Sequence, residues 1–167
     1  MARIFNVLFL CTGNSARSII GEVLANRNSF GKLRGFSAGS QPKGEIHPLT
    51  VKFLTGMGYD LAGLSSKSWD VFAEPGAPQM DFIFTVCDSA ANEVCPIWPG
   101  RPVSAHWGVP DPAAATGTEE DRLKVFRSVY LILRRRVELF ASLPLESLDR
   151  LALKSKADAI GRETPDA

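Results

Sequence analysis

The stretch IFNVLFLCTGNSARSIIGEVLANR, residues 4–27, constrains the fold more than any other part of the chain. IFNVLFL, residues 4–10, is a nearly continuous apolar run. A strand with one wet face would alternate, so this run suits a strand buried on both faces of a parallel sheet. Small or polar residues follow at once. Then Ile19, Ile20, Val23 and Leu24 recur at helical spacing, with Glu22 and Arg27 available for polar contacts. Strand, tight loop and helix make the first half of a βαβ unit.

The rest of the chain repeats that alternation. LRGFSAG (33–39) reads as the next strand. HPLTVKFLTGMG (47–58) reads as a helix with His47 at its start and Pro48 early. SSKSWDVFA (65–73) reads as a short helix capped by Ser65 or Ser66. DFIFTVC (81–87) and PVSAHWG (102–108) are two more strand candidates. From Thr118 to Leu143 a stripe of Leu123, Phe126, Tyr130, Leu133, Val137 and Phe140 marks a long helix, and Thr118 with Asp121 forms a capping box. The triplet Arg134, Arg135 and Arg136 reads as its solvated face. The order predicts an α/β three-layer sandwich with a four-stranded, mainly parallel sheet. Residues 1–143 form the expected domain and 144–167 a C-terminal extension. In that extension Leu145, Leu148, Leu151 and Leu153 suit a short docking helix, and the last six or so residues suit disorder.

Charge and composition narrow the function classes. A net charge of +1 argues against nucleic-acid or acidic-membrane partners. No apolar stretch approaches the ~20 residues that a bilayer span needs. The N-terminal run lacks the basic start and cleavage site of a signal peptide, so a cytoplasmic protein is expected. Its three cysteines are then expected as free thiols. With two histidines, and cysteines needed elsewhere, neither a metal nor another cofactor is expected.

Ligands of parallel α/β sheets bind outside the carboxyl ends of the strands. Two predicted ends deliver Cys11 and Cys87, and a third delivers His106 and Asp111. After Cys11 come Thr12, Gly13, Asn14, Ser15 and Ala16, none of them large. Such a loop can turn its N–H groups inward as an anion nest, and the helix behind it adds its positive end. Arg17 offers a planar fork for two oxygens of a tetrahedral oxyanion, and the Ser18 hydroxyl can donate to the sulfur. All of these lower the energy of a thiolate, whose ordinary pKa is ~8.5. The competing reading of Cys11, a small buried hydrophobe, is the commoner one for a cysteine at a strand end. The C-x5-R-S pattern between strand and helix outweighs it. Asn14 is expected to brace the loop across its width, and His106 to be a satisfied structural histidine.

CTGNSARS resembles the active-site loop of the low-molecular-weight protein tyrosine phosphatase superfamily, and the whole chain resembles its arsenate reductase branch. The matching stretches are VLFLCTGNSARS, FSAG at 36–39, FTVCDSAANEVCP at 84–96 and HWGVPDP at 106–112. They spread over nearly the whole chain except the tail. The resemblance implies a flavodoxin-like fold, Cys11 as nucleophile, Arg17 as substrate clamp and Asp111 as general acid.

The loop alone does not separate a phosphatase from a reductase, since arsenate, phosphate and sulfate are similar oxyanions. The phosphatases usually carry a second cysteine where this chain has Ala16, and tyrosines where it has Ala113, Ala114 and Ala115. Without those aromatics a phosphotyrosine ring has little to pack on. The resemblance instead implies a thiol relay. Cys11 forms an adduct with arsenate, Cys87 attacks Cys11 and arsenite leaves, and Cys95 then takes Cys87 into a second disulfide. Thioredoxin would reduce that disulfide, with glutathione and glutaredoxin as the alternative donor. A phosphatase, or a non-catalytic oxyanion-binding or redox-responsive module, stays as the competing reading. The segment DSAANEV between Cys87 and Cys95 reads as helical, and eight helical residues span ~12 Å. A disulfide needs Cα atoms within ~7 Å, so that step is expected to unwind it. In some relatives, counterparts of Asn14, Glu22, Ser37 and an aspartate surround a potassium ion. The position matching the aspartate is Lys67, whose ammonium is expected to replace the cation and pair with Glu22.

Overall fold

The computed structural model describes residues 3–88, 90 and 98–163. Four strands, β1 (Phe5–Cys11), β2 (Leu33–Gly39), β3 (Phe82–Thr85) and β4 (Val103–His106), form one sheet in the order β2-β1-β3-β4. Every neighbouring pair is parallel. Among the described residues the α-helices are α1 (Arg17–Arg27), α2 (Pro48–Gly56), α3 (Glu119–Ala141) and α4 (Arg150–Arg162).

The unbroken apolar run of β1 has its explanation in two cores. Phe5, Val7, Phe9 and Cys11 point into the larger core beneath the helices. Leu8 and Leu10 point the other way, onto Ala38, Trp69, Phe72, Met80 and Ile83. The period of 2 is intact, but both faces are dry. On the larger side Phe84 stacks on Trp107 with ring centroids 3.8 Å apart, and Phe140 of α3 meets Phe84 edge-on at 5.2 Å. Such contacts add to area burial in fixing the helix on the sheet.

Strand register lines up the carboxyl ends. Cys11 pairs with Gly39, Leu10 with Thr85, and Thr85 with His106. The loops after all four strands therefore leave from one row. Among the described residues no helix is long and apolar enough to cross a membrane.

Three sequence expectations need correction. The short helix near 65–73 is a 3-10 turn, Trp69–Phe72, and its cap is Ser68. Ser66 turns instead to the Cys11 loop, where its Oγ donates to Gly13 O at 3.2 Å. The arginine triplet is not all solvated. Arg134 pairs with Glu138 and Arg135 with Glu163, but Arg136 is buried and donates to Trp107 O (2.8 Å) and Gly108 O (3.1 Å). Its spacing explains this, since it lies three residues after Leu133 and four before Phe140, on the apolar stripe. In the tail, Leu151 is 79% exposed. The helix that packs there starts later, capped by Asp149, and buries Leu153, Ala157 and Ile160. Trp107 Nε1 donates to Ala157 O at 3.0 Å, tying α4 to the end of β4. Gly161 makes that approach possible, because a Cβ there would lie 2.2 Å from His106 O.

Candidate active site

The Cys11 loop owes its shape to donors outside it. Thr12 O accepts from Gln41 N (2.9 Å), Gly13 O from Lys43 N (3.0 Å) and Ser66 Oγ, and Ser15 O from His47 N (3.1 Å) and Thr50 Oγ1 (2.9 Å). In a trans peptide the carbonyl and the following N–H point in opposite directions. Three carbonyls drawn outward therefore turn the N–H groups of Gly13, Asn14 and Ala16 to the inner side. Helix α1 begins just behind, with no side-chain cap and no acidic residue in its first turn. Its first N–H groups and the positive end of its dipole thus add to the same concavity.

Asn14 is fully buried and holds the centre in the left-handed region, at φ 47. Asparagine tolerates this conformation better than most side chains. Its Nδ2 donates to Ser18 Oγ (2.7 Å) and Ser37 Oγ (3.1 Å), and its Oδ1 accepts from Lys67 N (2.9 Å). Ser37 Oγ passes the chain on to Glu22 Oε1 at 2.5 Å. Lys67 Nζ lies 3.9 Å from the same carboxylate oxygen and donates to Ser65 O at 2.7 Å. Burial raises the Glu22 pKa, with Ser37 and the Lys67 charge opposing it. Burial also lowers that of Lys67, with Glu22 opposing. The two groups thus lie within ion-pair distance of each other.

Arg17, the first residue of α1, reaches across to the loop after β4. Its Nη1 donates to Val109 O at 3.2 Å, and its Nη2 lies 3.7 Å from Asp111 Oδ2. Its Nε is buried and has no hydrogen-bond partner among the described residues. Asp111 caps the 3-10 turn Pro112–Ala114 by accepting from Ala113 N at 3.0 Å, and its side chain is 41% exposed. The turn presents alanines, with no aromatic wall.

The second sulfur closes the site. Cys11 and Cys87 are both buried free thiols, and each side chain is the largest influence on the other's proton. Cys87 Sγ also lies 3.6 Å from Thr12 Oγ1 and accepts from Ala90 N at 3.4 Å. The Cys11 thiol is the main influence that takes Cys87 down to about 5, with burial opposing and the Ala90 and Thr12 contacts assisting. The Cys87 thiol, then burial, push Cys11 far up against the pull of Arg17. These opposite directions make Cys87 the readier of the two to lose its proton, and the two titrate as a coupled pair. Cys95 and most of the 88–94 segment lie outside the described residues.

Residues 6–153 match the low molecular weight phosphotyrosine protein phosphatase family. The chain belongs to that family. Among its relatives, an arsenate reductase of Halalkalibacterium halodurans is 35% identical over 135 residues, 81% of this chain and 94% of the relative. One of Bacillus subtilis is 34% identical over the same shares. A solved structure described as an arsenate reductase in the phosphate binding state superposes with a TM-score of 0.67 at 25% identity, covering 83% of this chain and 98% of that one. A tyrosine phosphatase of the family, from T. tengcongensis, superposes at 0.62 with 22% identity, over 80% of this chain and 95% of that one, a likeness of fold.

Two supports of this phosphatase-family loop escape a reading of the sequence. A Cβ on Gly39 would lie 2.4 Å from Thr12 O and 2.9 Å from Cys11 O, so only glycine lets β2 pass under the loop. Thr50, fully buried on α2, holds Ser15 O. The only hint of the first is a glycine closing FSAG, and nothing in the α2 pattern singles out Thr50.

Proposed function

We propose that this chain reduces arsenate to arsenite, with Cys11 as nucleophile and Cys87 as the second thiol. The observation that carries the reading is a second buried thiol, Cys87, whose Sγ lies 3.6 Å from Thr12 Oγ1, the residue next to Cys11 in the oxyanion nest. A phosphatase needs one sulfur there; a reductase needs a second within reach of the first. Arsenate binds with its oxygens on the loop N–H groups of residues 12–17 and on the Arg17 guanidinium. A proton passing from Cys11 to Cys87 delivers the thiolate to Cys11, beside the Arg17 charge. Cys11 attacks arsenic and Asp111 protonates the departing oxygen, which leaves as water. Cys87 gives its proton to the Asp111 carboxylate, through water, and attacks the Cys11 sulfur as thiolate. The S–S bond forms and the S–As bond breaks with its electron pair staying on arsenic. In sum, arsenic acid and two thiols give arsenous acid, water and one disulfide. Cys95 then exchanges with Cys87, and thioredoxin reduces the Cys87–Cys95 disulfide; glutaredoxin with glutathione is the alternative donor.

The experiment is arsenite production with thioredoxin or glutaredoxin, by wild type and by Cys→Ser variants at 11, 87 and 95. Loss of turnover at 11 and 87 is expected with either donor. Phosphatase activity that survives Cys87→Ser, together with no arsenite production by wild type, would make the chain a phosphatase. Arsenate binding without turnover would make it a binding module. The Lys67 ammonium takes the place of a cation beside Glu22, so replacing sodium by potassium should leave turnover unchanged. A severalfold stimulation by potassium would overturn that assignment.

A further inference from the structure

Cys87 has two tasks in the proposed reaction: to face Cys11, and afterwards to leave it. Backbone pairing holds the chain up to Val86, whose N–H donates to Leu10 O at 2.9 Å and whose carbonyl accepts from Val109 N at 3.1 Å. Past that point the position of Cys87 depends on what holds its flanks. His106, the last residue of β4, lies opposite Thr85 in register. Its Nδ1 is 2.8 Å from Thr85 Oγ1, and its Nε2 is 2.8 Å from Asp88 Oδ1. One imidazole therefore bonds the residue two before Cys87 and the residue just after it. A carboxylate only accepts, so Nε2 carries a proton, and in the neutral ring Nδ1 receives the Thr85 hydroxyl. Space for this bridge depends on Gly108. A Cβ there would lie 2.6 Å from His106 Nε2 and 3.1 Å from Asp88 Oδ1.

The two ends of the bridge differ. Thr85 belongs to the sheet, and its carbonyl also accepts from Trp107 N at 2.7 Å. The Asp88 side chain is 91% exposed, and the imidazole is 41% exposed. A bond so open to water is weak and opens readily. The firm end is at Thr85 on the sheet and the loose end is at Asp88.

We infer that His106 is a positioning residue for Cys87, holding both flanks of the β3 exit so that the sulfur faces Cys11, and letting go of Asp88 when Cys87 turns to its next partner. The inference rests on the reading of Cys87 as the second thiol. The step it serves is the attack of the Cys87 thiolate on the Cys11–arsenic adduct. There the S–S bond forms, the S–As bond breaks, arsenic(V) becomes arsenic(III), and the two sulfurs are oxidised to a disulfide.

The test is a single turnover of the fully reduced chain with arsenate, quenched by alkylation, with the Cys11–Cys87 disulfide counted by mass spectrometry. Competitive inhibition by inorganic phosphate is measured alongside. His106→Ala should slow disulfide formation about threefold to tenfold, the range expected when a weak exposed contact that orients a reacting group is lost. Phosphate inhibition should stay within about twofold of wild type, because the loop around Cys11 is not touched. His106→Gln, which can keep a donor toward Asp88, should recover at least half of the rate. Asp88→Ala, which breaks the loose end from the other side, should slow the same step. A wild-type rate of disulfide formation in both His106→Ala and Asp88→Ala would overturn the inference. So would a parallel loss of phosphate affinity, which marks general distortion of the site. Cys87→Ser separates this from the parent reading. If that variant retains the adduct and releases no arsenite, the parent reading stands whatever His106 does; if it releases arsenite at the wild-type rate, both fall.

Discussion

Two buried thiols, each the largest influence on the other's proton, titrate as a unit, so substituting either should move the other. In a Cys95→Ser background only Cys11 and Cys87 contribute thiolate absorbance near 240 nm. One thiolate should then appear with a midpoint near pH 5, where the neighbouring Cys11 thiol holds Cys87. The second should stay protonated well above the usual thiol range, because Cys11 is pushed up by the Cys87 sulfur and by burial. Below about pH 5 the pair becomes neutral, and single-turnover arsenate reduction should fall with it. Cys11→Ala removes the largest influence lowering Cys87 and leaves burial opposed by the Ala90 and Thr12 contacts, so the low midpoint should rise toward the ordinary ~8.5. A midpoint that stays near 5 in Cys11→Ala would place its cause outside the pair. The same scale holds a prediction for Gly39. A methyl group in Gly39→Ala meets backbone, Thr12 O at 2.4 Å, which cannot swing aside as a side chain can. The loop must shift, and inhibition by phosphate should weaken about tenfold or more, as an overpacking cost of ~1–3 kcal/mol implies. Cys11, Asn14 and Arg17 were legible because their types and spacing announce an anion loop. Gly39 and Thr50 were not, because what makes them necessary is a carbonyl brought beside them from another element.

At the scale of elements, the strand–loop–helix opening and the capping box of α3 follow local rules, and the sequence reading finds them. Arg136 shows where local rules stop. Three successive arginines look like one solvated face, yet helical geometry turns them by about 100° each, and the third lands on the buried stripe. There its guanidinium holds Trp107 O and Gly108 O, just before the segment in which Val109 O accepts from Arg17 and Asp111 faces it. Burial lowers its pKa. Arg136→Met keeps most of the volume but leaves two carbonyls without their donor, at about 1–3 kcal/mol for each group left unsatisfied. A loss of roughly 2–6 kcal/mol is expected, read as a Tm lower by about 4–24 °C for a chain of this size. Arg134→Met, on the exposed side of the same helix, should change Tm by no more than a degree or two, since an exposed i,i+4 pair is worth only ~0.3–0.5 kcal/mol. Equal losses in the two variants would mean that the buried clamp contributes nothing beyond helix packing.

For the whole molecule the open question is whether residues 144–167 fold with the sheet or merely follow it. Their sequence reads as an appendage because its leucines cluster early and charged residues dominate afterwards. The residues that matter are spaced later and are inconspicuous. Leu153, Ala157 and Ile160 are buried, and Ala157 contributes a carbonyl to the Trp107 indole rather than a side chain. Trp107 in turn stacks on Phe84 in the centre of the larger core. Truncation after Ser147 removes the whole of α4. Burial of a Leu or Ile side chain is worth about 1.5–3 kcal/mol, and the indole hydrogen bond about 1. The loss is then roughly 5 kcal/mol, a large part of the ~5–15 kcal/mol that holds a domain together. Thermal unfolding should begin about 10–20 °C lower, and Trp107 fluorescence should show water reaching the ring. The row of strand ends should suffer as well, because α4 backs His106, whose carbonyl lies against Gly161. Truncation should therefore slow formation of the Cys11–Cys87 disulfide more than it weakens phosphate inhibition. A truncated chain with wild-type Tm and a wild-type single-turnover rate would show that the sheet and its first three helices are the complete folding unit.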